Sequence, residues 1–318
     1  MNKPYQQSKT AVLTRPIFNR LIATFFLVLA FAFTQPVWAV SPLVSAAWLQ
    51  DNLSQPNIAI IDLQPTQGYD RVHLPNAVNS QYEQWRQRKA VEGKALPDIA
   101  YLEKLLGSLG IANDSHVILT PIGANASEVA VATRIYWSLK VLGHKDVSIL
   151  DGGLIAYSQL PNARFSNAKP SIQPANYKAI PDLSMVPTAN DVLSELKNGT
   201  SFVDYRSEGE FFGKVGGPRP GTIPGSKNLP YDLLLEKGQG GQFLPKNRIK
   251  LLYASRGISN AGPQIGFCNS GHRASLAWFV SHEIMGNKQA RLFDGSMAEW
   301  SQHQDYPISI PKCSRKDC

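Results

Sequence analysis

The chain repeats itself, and that duplication limits its architecture more than any other feature, because each half must then be one copy of a single small domain. An apolar run ending in an acidic residue, Asp62 or Asp204, stands near the start of each half, and a proline-containing turn follows at 74–79 or 223–228. Later in each half a helical pattern closes on Gly143 or Gly286. A short apolar run and Asp151-Gly152 or Asp294-Gly295 come next, with Tyr157 or Trp300 five residues beyond the second glycine. The offset is 142 residues at the aspartates, 149 at the prolines and 143 at the glycine markers, so compensating insertions separate the copies, one of them at 213–220. The expected organisation is a first domain at 44–160, a linker at 161–187 with five prolines and no clear period, a second domain at 188–304 and a tail at 305–318.

Within each half, β-rich runs at 58–61, 116–119 and 147–150, then 202–203, 264–267 and 290–293, alternate with helical stretches at 99–109, 128–142, 188–197 and 273–285. Such alternation predicts an α/β fold, two domains each built on a mainly parallel sheet flanked by helices. Ligands of such sheets gather beyond the carboxyl ends of the strands.

Composition enters through the first 39 residues. They hold Lys3, Lys9, Arg15 and Arg20 and no acidic residue, then an apolar stretch at 21–33, Pro36 and small residues at Val37 and Ala39. The stretch is shorter than the ~20 residues a membrane-spanning helix needs, and its flanks read as a secretory signal peptide cleaved after Ala39. The expected location is therefore exported, most simply periplasmic, with membrane association only if the leader stays uncleaved as an anchor. Without the leader, 28 basic residues face 24 acidic ones, so the net charge of +8 falls to about +4. Part of the rest lies in the tail, where Lys312, Arg315 and Lys316 surround Cys313 and Cys318. With no basic stripe interleaved with aromatics, nucleic acid is excluded as a partner.

The chemistry points to one loop. The run at 264–267 leads into Cys268-Asn269-Ser270-Gly271-His272-Arg273, and a helical pattern begins at once. A cysteine at a strand-to-helix switch meets backbone N–H groups that have no intrahelical partner and the positive end of a helix dipole. Both favour a thiolate, as do cationic neighbours such as His272 and Arg273. Gly271 lets successive amides converge, as in an anion-binding nest. A purely packing cysteine would sit inside an apolar run instead. The corresponding first-half stretch, 120–127, has no cysteine, so one domain is reactive and the other supporting. The histidines lack metal-ligand spacing, and no metal or other cofactor is called for. Asp294-Gly295-Ser296 reads as a turn.

These motifs together resemble the tandem rhodanese family of thiosulfate and 3-mercaptopyruvate sulfurtransferases. The matching segments are 202–206, 221–228, 268–275 and 293–300, with 143–144 and 150–153 similar to the family's inactive domain. The resemblance implies that Cys268 is the nucleophile, taking sulfur from a small anionic donor and passing it as a persulfide to cyanide or a thiol, including the thiol of a redox protein. It also implies that the amides of residues 269–273 stabilise the persulfide and that Arg206, Arg219 and Arg273 bind the donor, with Asp204 structural. Glu210 stands where the family has a donor-binding arginine and is expected to repel an anion, and Thr222 replaces a usual histidine. Two other classes compete: a non-catalytic module that binds or relays sulfur, and a phosphatase or arsenate reductase of the same fold. The latter's loops place five residues between Cys and Arg, against four here. Cys313 and Cys318 are expected to pair, to serve as relay thiols or to lie in a disordered tail.

Overall fold

The computed structural model describes residues 1, 2, 4, 5, 40–89, 93–238 and 241–312. The leader at 1–39 and the cysteines at 313 and 318 therefore lie outside the described residues almost entirely. Among the described residues, no helix is long and apolar enough to cross a membrane.

The first half runs β1 (Leu43–Val44), α1 (Ala46–Asn52), β2 (Ile58–Asp62), α2 (Thr66–Tyr69), β3 (Val78–Asn79), β4 (Gln87–Lys89), β5 (Gly93–Ala95), α3 (Ile99–Ser108), β6 (His116–Thr120), α4 (Ala126–Val141), β7 (Val147–Leu150) and α5 (Gly153–Ser158). The second runs α6 (Ala189–Glu195), β8 (Ser201–Asp204), α7 (Glu208–Phe211), β9 (Lys227–Asn228), α8 (Lys246–Ser255), β10 (Gln264–Phe267), α9 (His272–Phe279), β11 (Ala290–Leu292) and α10 (Ser296–Trp300). A five-stranded sheet ordered β1-β7-β6-β2-β3 and a four-stranded sheet ordered β11-β10-β8-β9 result, all parallel, so the duplication is visible as one strand order used twice. β4 and β5 form a separate antiparallel pair. All six expected strands form within a residue of their expected limits. The two-residue strands β1, β3 and β9 were not expected, since two residues carry no period.

Hydrogen bonds repeat as well. Asn79 donates from Nδ2 to the carbonyls of Asp62 (3.0 Å) and Gln64 (2.9 Å), and Asn228 does the same to Asp204 and Arg206, both at 2.9 Å. The Tyr157 hydroxyl donates to the Arg164 carbonyl, and the Trp300 indole donates to Pro307. These side chains close the loops beyond each sheet in both copies.

The helix α4 is buried nearly all round, from Ala130, Ala132 and Thr133 to Leu139 and Val141. A helix apolar on every face needs neighbours on every side. One face covers its own sheet, and the other meets α9 of the second half. Small residues there bring the backbones close: the hydroxyls of Thr133 and Ser275 are 3.1 Å apart, and Tyr136 packs its edge on Phe279 with centroids 4.8 Å apart. The two halves therefore share one hydrophobic core.

The segment at 161–187 is not free chain. Ser166 pairs with His73 in a β-bridge, Lys178 exchanges hydrogen bonds with the Asn113 side chain, and the Ile180 amide donates to Leu142. The chain just before the tail cysteines is tied down: Thr222 and Ser309 exchange backbone bonds at 2.9 Å, and Tyr306 and Ile308 pack against the second half's core, while the disorder or pairing expected at Cys313 and Cys318 lies outside the described residues.

Candidate active site

Cys268 follows β10 directly and is 1% exposed. Gly271 caps α9 at φ +73°, a left-handed conformation that glycine adopts without strain. A Cβ there would also collide with the Asp294 carboxylate and lie 2.6 Å from Arg134 Nη1. The four residues 268–271 thereby curl around one point.

Ser296 holds that curl. Its Oγ accepts from the amides of Cys268 and Gly271, both at 3.1 Å, and donates to the Phe293 carbonyl at 2.8 Å. Its φ is +52°, strained for a residue with a side chain, while the matching position in the first half is Gly153 at +61°. A strained serine replaces a relaxed glycine only in the half that carries the cysteine, which ties the strain to the loop. The segment 294–296 is therefore a brace as well as a turn. Its role also corrects the expectation that all the amides of 269–273 face the sulfur: Gly271 is committed to Ser296, whereas those of Asn269, Ser270, His272 and Arg273 meet no acceptor among the described residues. Replacing Ser296 with alanine is expected to cost about 1–3 kcal/mol by leaving two buried amides unpaired, read as a lower denaturation midpoint.

The first half supplies much of the remaining support. Arg134 of α4 is fully buried and forms a two-armed ion pair with Asp294, one arm at 2.8 Å, while the Leu96 amide donates to the same carboxylate at 2.9 Å. Burial opposes the guanidinium's charge, but Asp294 outweighs it and raises the pKa. Arg86 donates to the Ser270 carbonyl at 2.5 Å and to the Tyr82 hydroxyl at 2.9 Å. Having accepted that bond, Tyr82 can donate to His272 Nδ1 at 2.7 Å, which leaves the proton on Nε2, facing Ser127 Oγ at 3.1 Å. Tyr82, Arg86, Ser127 and Arg134 went unnoticed in the sequence.

His272 is a neutral link, not the cation expected beside the thiolate. Burial, with Arg86, Arg134 and Arg273 nearby, lowers its pKa from 6.5 to about 4. Between those values the unfolded chain binds a proton that the folded chain refuses, so stability falls as the pH drops from 6.5 towards 4. The urea midpoint should fall between pH 7 and pH 5, and His272→Gln should remove part of that fall; identical slopes would contradict the assignment.

Three arginines were expected at the donor, and each already has protein partners. Arg206 is buried, with Nε and Nη2 on Asp204 (3.0 and 2.6 Å) and Nη2 also on the Gly221 carbonyl at 2.7 Å. Gln64 makes the corresponding bonds to Asp62 and Val72 in the half without a cysteine, so the Arg206 arrangement is a structural latch. Arg219 spends its guanidinium on the carbonyls of His303 (2.6 Å) and Tyr306 (2.7 Å), anchoring the segment after α10. Arg273 is partly exposed and grips Glu210 with both Nη atoms at 2.7 and 2.8 Å. Glu210 thus lies against an arginine, where repulsion of the donor had been its only expected role. Its pKa is held at about 2: burial works against the charge, but Arg273 and Ser207 overcome it. Among the described residues, no cluster of His, Cys, Asp or Glu could hold a metal ion.

Fold and site together define a duplicated α/β protein with one cysteine loop, built at the seam between its halves. The model of the rhodanese-like domain matches residues 45–160 and again 188–303, and the chain belongs to that family. It is 32% identical over 279 residues to a Mycobacterium tuberculosis protein named "Putative thiosulfate sulfurtransferase", covering 84% of this chain and 97% of that one. A Haloferax volcanii protein of the same name is 30% identical over 288 residues, covering 85% and 97%. Among solved structures, the 3-mercaptopyruvate sulfurtransferase SseA of Escherichia coli superposes with a TM-score of 0.70 at 24% identity, covering 81% of this chain and 99% of that one, a likeness of fold.

Proposed function

We propose that the protein is a sulfurtransferase of the thiosulfate type, acting through a persulfide on Cys268. The observation that carries this reading is that the amides of Asn269, Ser270, His272 and Arg273, in the loop that leads from Cys268 into a helix N-terminus, meet no acceptor among the described residues. An anionic sulfur bound there needs no further reorganisation, the electrostatic condition for stabilising a charged intermediate. The Cys268 thiolate attacks the outer sulfur of thiosulfate; a Cys–S bond forms, the sulfur–sulfur bond of thiosulfate breaks, and its electron pair leaves with sulfite. Cyanide or a thiolate then attacks the terminal sulfur, carries it away and returns the cysteine as thiolate. 3-Mercaptopyruvate is the alternative donor, with pyruvate as the product. In this reading the leader at 1–39 takes the enzyme out of the cytoplasm, and the acceptor is a small thiophile or the thiol of a redox protein.

A double-displacement reaction has a kinetic signature. Initial rates of thiocyanate formation, with thiosulfate and cyanide varied together, should give parallel double-reciprocal lines. Intersecting lines would exclude a free persulfide enzyme, and turnover of an aryl phosphate without sulfur transfer would replace the reading with that of a phosphatase.

A further inference from the structure

Among the side chains of the loop, Arg273 offers the guanidinium fork suited to an anionic donor, and that fork is already occupied. Glu210 takes both of its Nη atoms in a partly buried, bidentate pair. Glu210 is in turn fixed from behind, because Ser207 donates to it from its amide (3.1 Å) and its hydroxyl (2.8 Å), closing the capping box of α7. The carboxylate is thus built into the site, in the position where a donor's charged oxygens would otherwise bind. Arg206 and Arg219 cannot replace the fork, since both are engaged elsewhere.

We propose that Glu210 sets donor specificity: it competes with the donor's anionic group for Arg273 and biases the site against dianions towards donors of lower charge. This rests on the sulfurtransferase reading. Arg273 then contributes orientation more than charge, and the donor is received mainly by the four unpaired amides. A dianion such as thiosulfate pays most for the carboxylate beside it, whereas a monoanion such as an aryl thiosulfonate loses less. The chemistry at Cys268 is the same for both, the leaving group being sulfite or an aryl sulfinate.

The test compares the full-length protein with Glu210→Gln, whose side chain can still accept the Ser207 bonds of the capping box. With Arg273 released, KM for thiosulfate should fall about tenfold, the worth of one added charge-assisted contact, and KM for benzenethiosulfonate by a smaller factor. Titration of sulfate into Cys268→Ser and into Cys268→Ser/Glu210→Gln reads the same effect without catalysis, and the double variant should bind about tenfold tighter. Equal sulfate affinity in the two proteins, or an unchanged ratio of the two KM values, would overturn the proposal. If neither donor loads Cys268 in the unmodified protein, the sulfurtransferase reading fails and the specificity proposal fails with it.

Discussion

Replacing Asp294 with alanine is expected to destabilise the protein by about 3–5 kcal/mol, the usual cost of breaking a buried ion pair by removing one partner. Arg134 is fully buried, its Nε has no hydrogen-bond partner among the described residues, and Asp294 supplies both contacts to its Nη atoms. Without the carboxylate, a guanidinium would stand uncompensated inside the core, and the Leu96 amide would lose its acceptor. The damage would reach the site, since Asp294 and Arg134 both pack against Gly271. Arg134→Met combined with Asp294→Ala removes the charge as well as its partner, so the double variant should be more stable than Asp294→Ala alone. Urea unfolding of the unmodified protein and the two variants checks this. A single-variant cost below about 1 kcal/mol, the level of an exposed pair, would mean that the pair is not a structural tie between the halves.

The second large effect is chemical. Cys268→Ser should lower sulfur transfer by at least about 10⁴-fold, as for the loss of other covalent nucleophiles, with little change in the denaturation midpoint because the two side chains are close in size. A serine hydroxyl is not appreciably ionised near neutral pH and forms no persulfide, so the intact amides around it have no intermediate to stabilise. Ser296→Ala works in the opposite way. It leaves the nucleophile in place and loosens the loop, so stability and activity should fall together.

Much of this was legible in the sequence. The duplication, the parallel sheets and the cysteine loop are all local patterns, readable from periodicity and from polar residues at a strand-to-helix switch. The support around the loop was not, because it comes from the other half: Tyr82, Arg86 and Ser127 reach His272 and Ser270 across more than a hundred residues of chain. Arg134 did leave a signal. An arginine among Ile135, Tyr136 and Trp137, in a helix apolar on every face, requires a buried acid, and Asp294 is that acid. The partners of Arg206 and Arg219 were not legible, because guanidinium groups bind backbone carbonyls and internal carboxylates as readily as donor anions. The repeated latch of Gln64 and Arg206 shows what to look for in a duplicated chain.

The central claim is that Cys268 carries sulfur, and intact-mass measurement of the protein after incubation with thiosulfate tests it most directly. The predicted result is a gain of one sulfur atom, absent in Cys268→Ser and removed by cyanide. An unchanged mass with both thiosulfate and 3-mercaptopyruvate, or a gain that persists in Cys268→Ser, would contradict it.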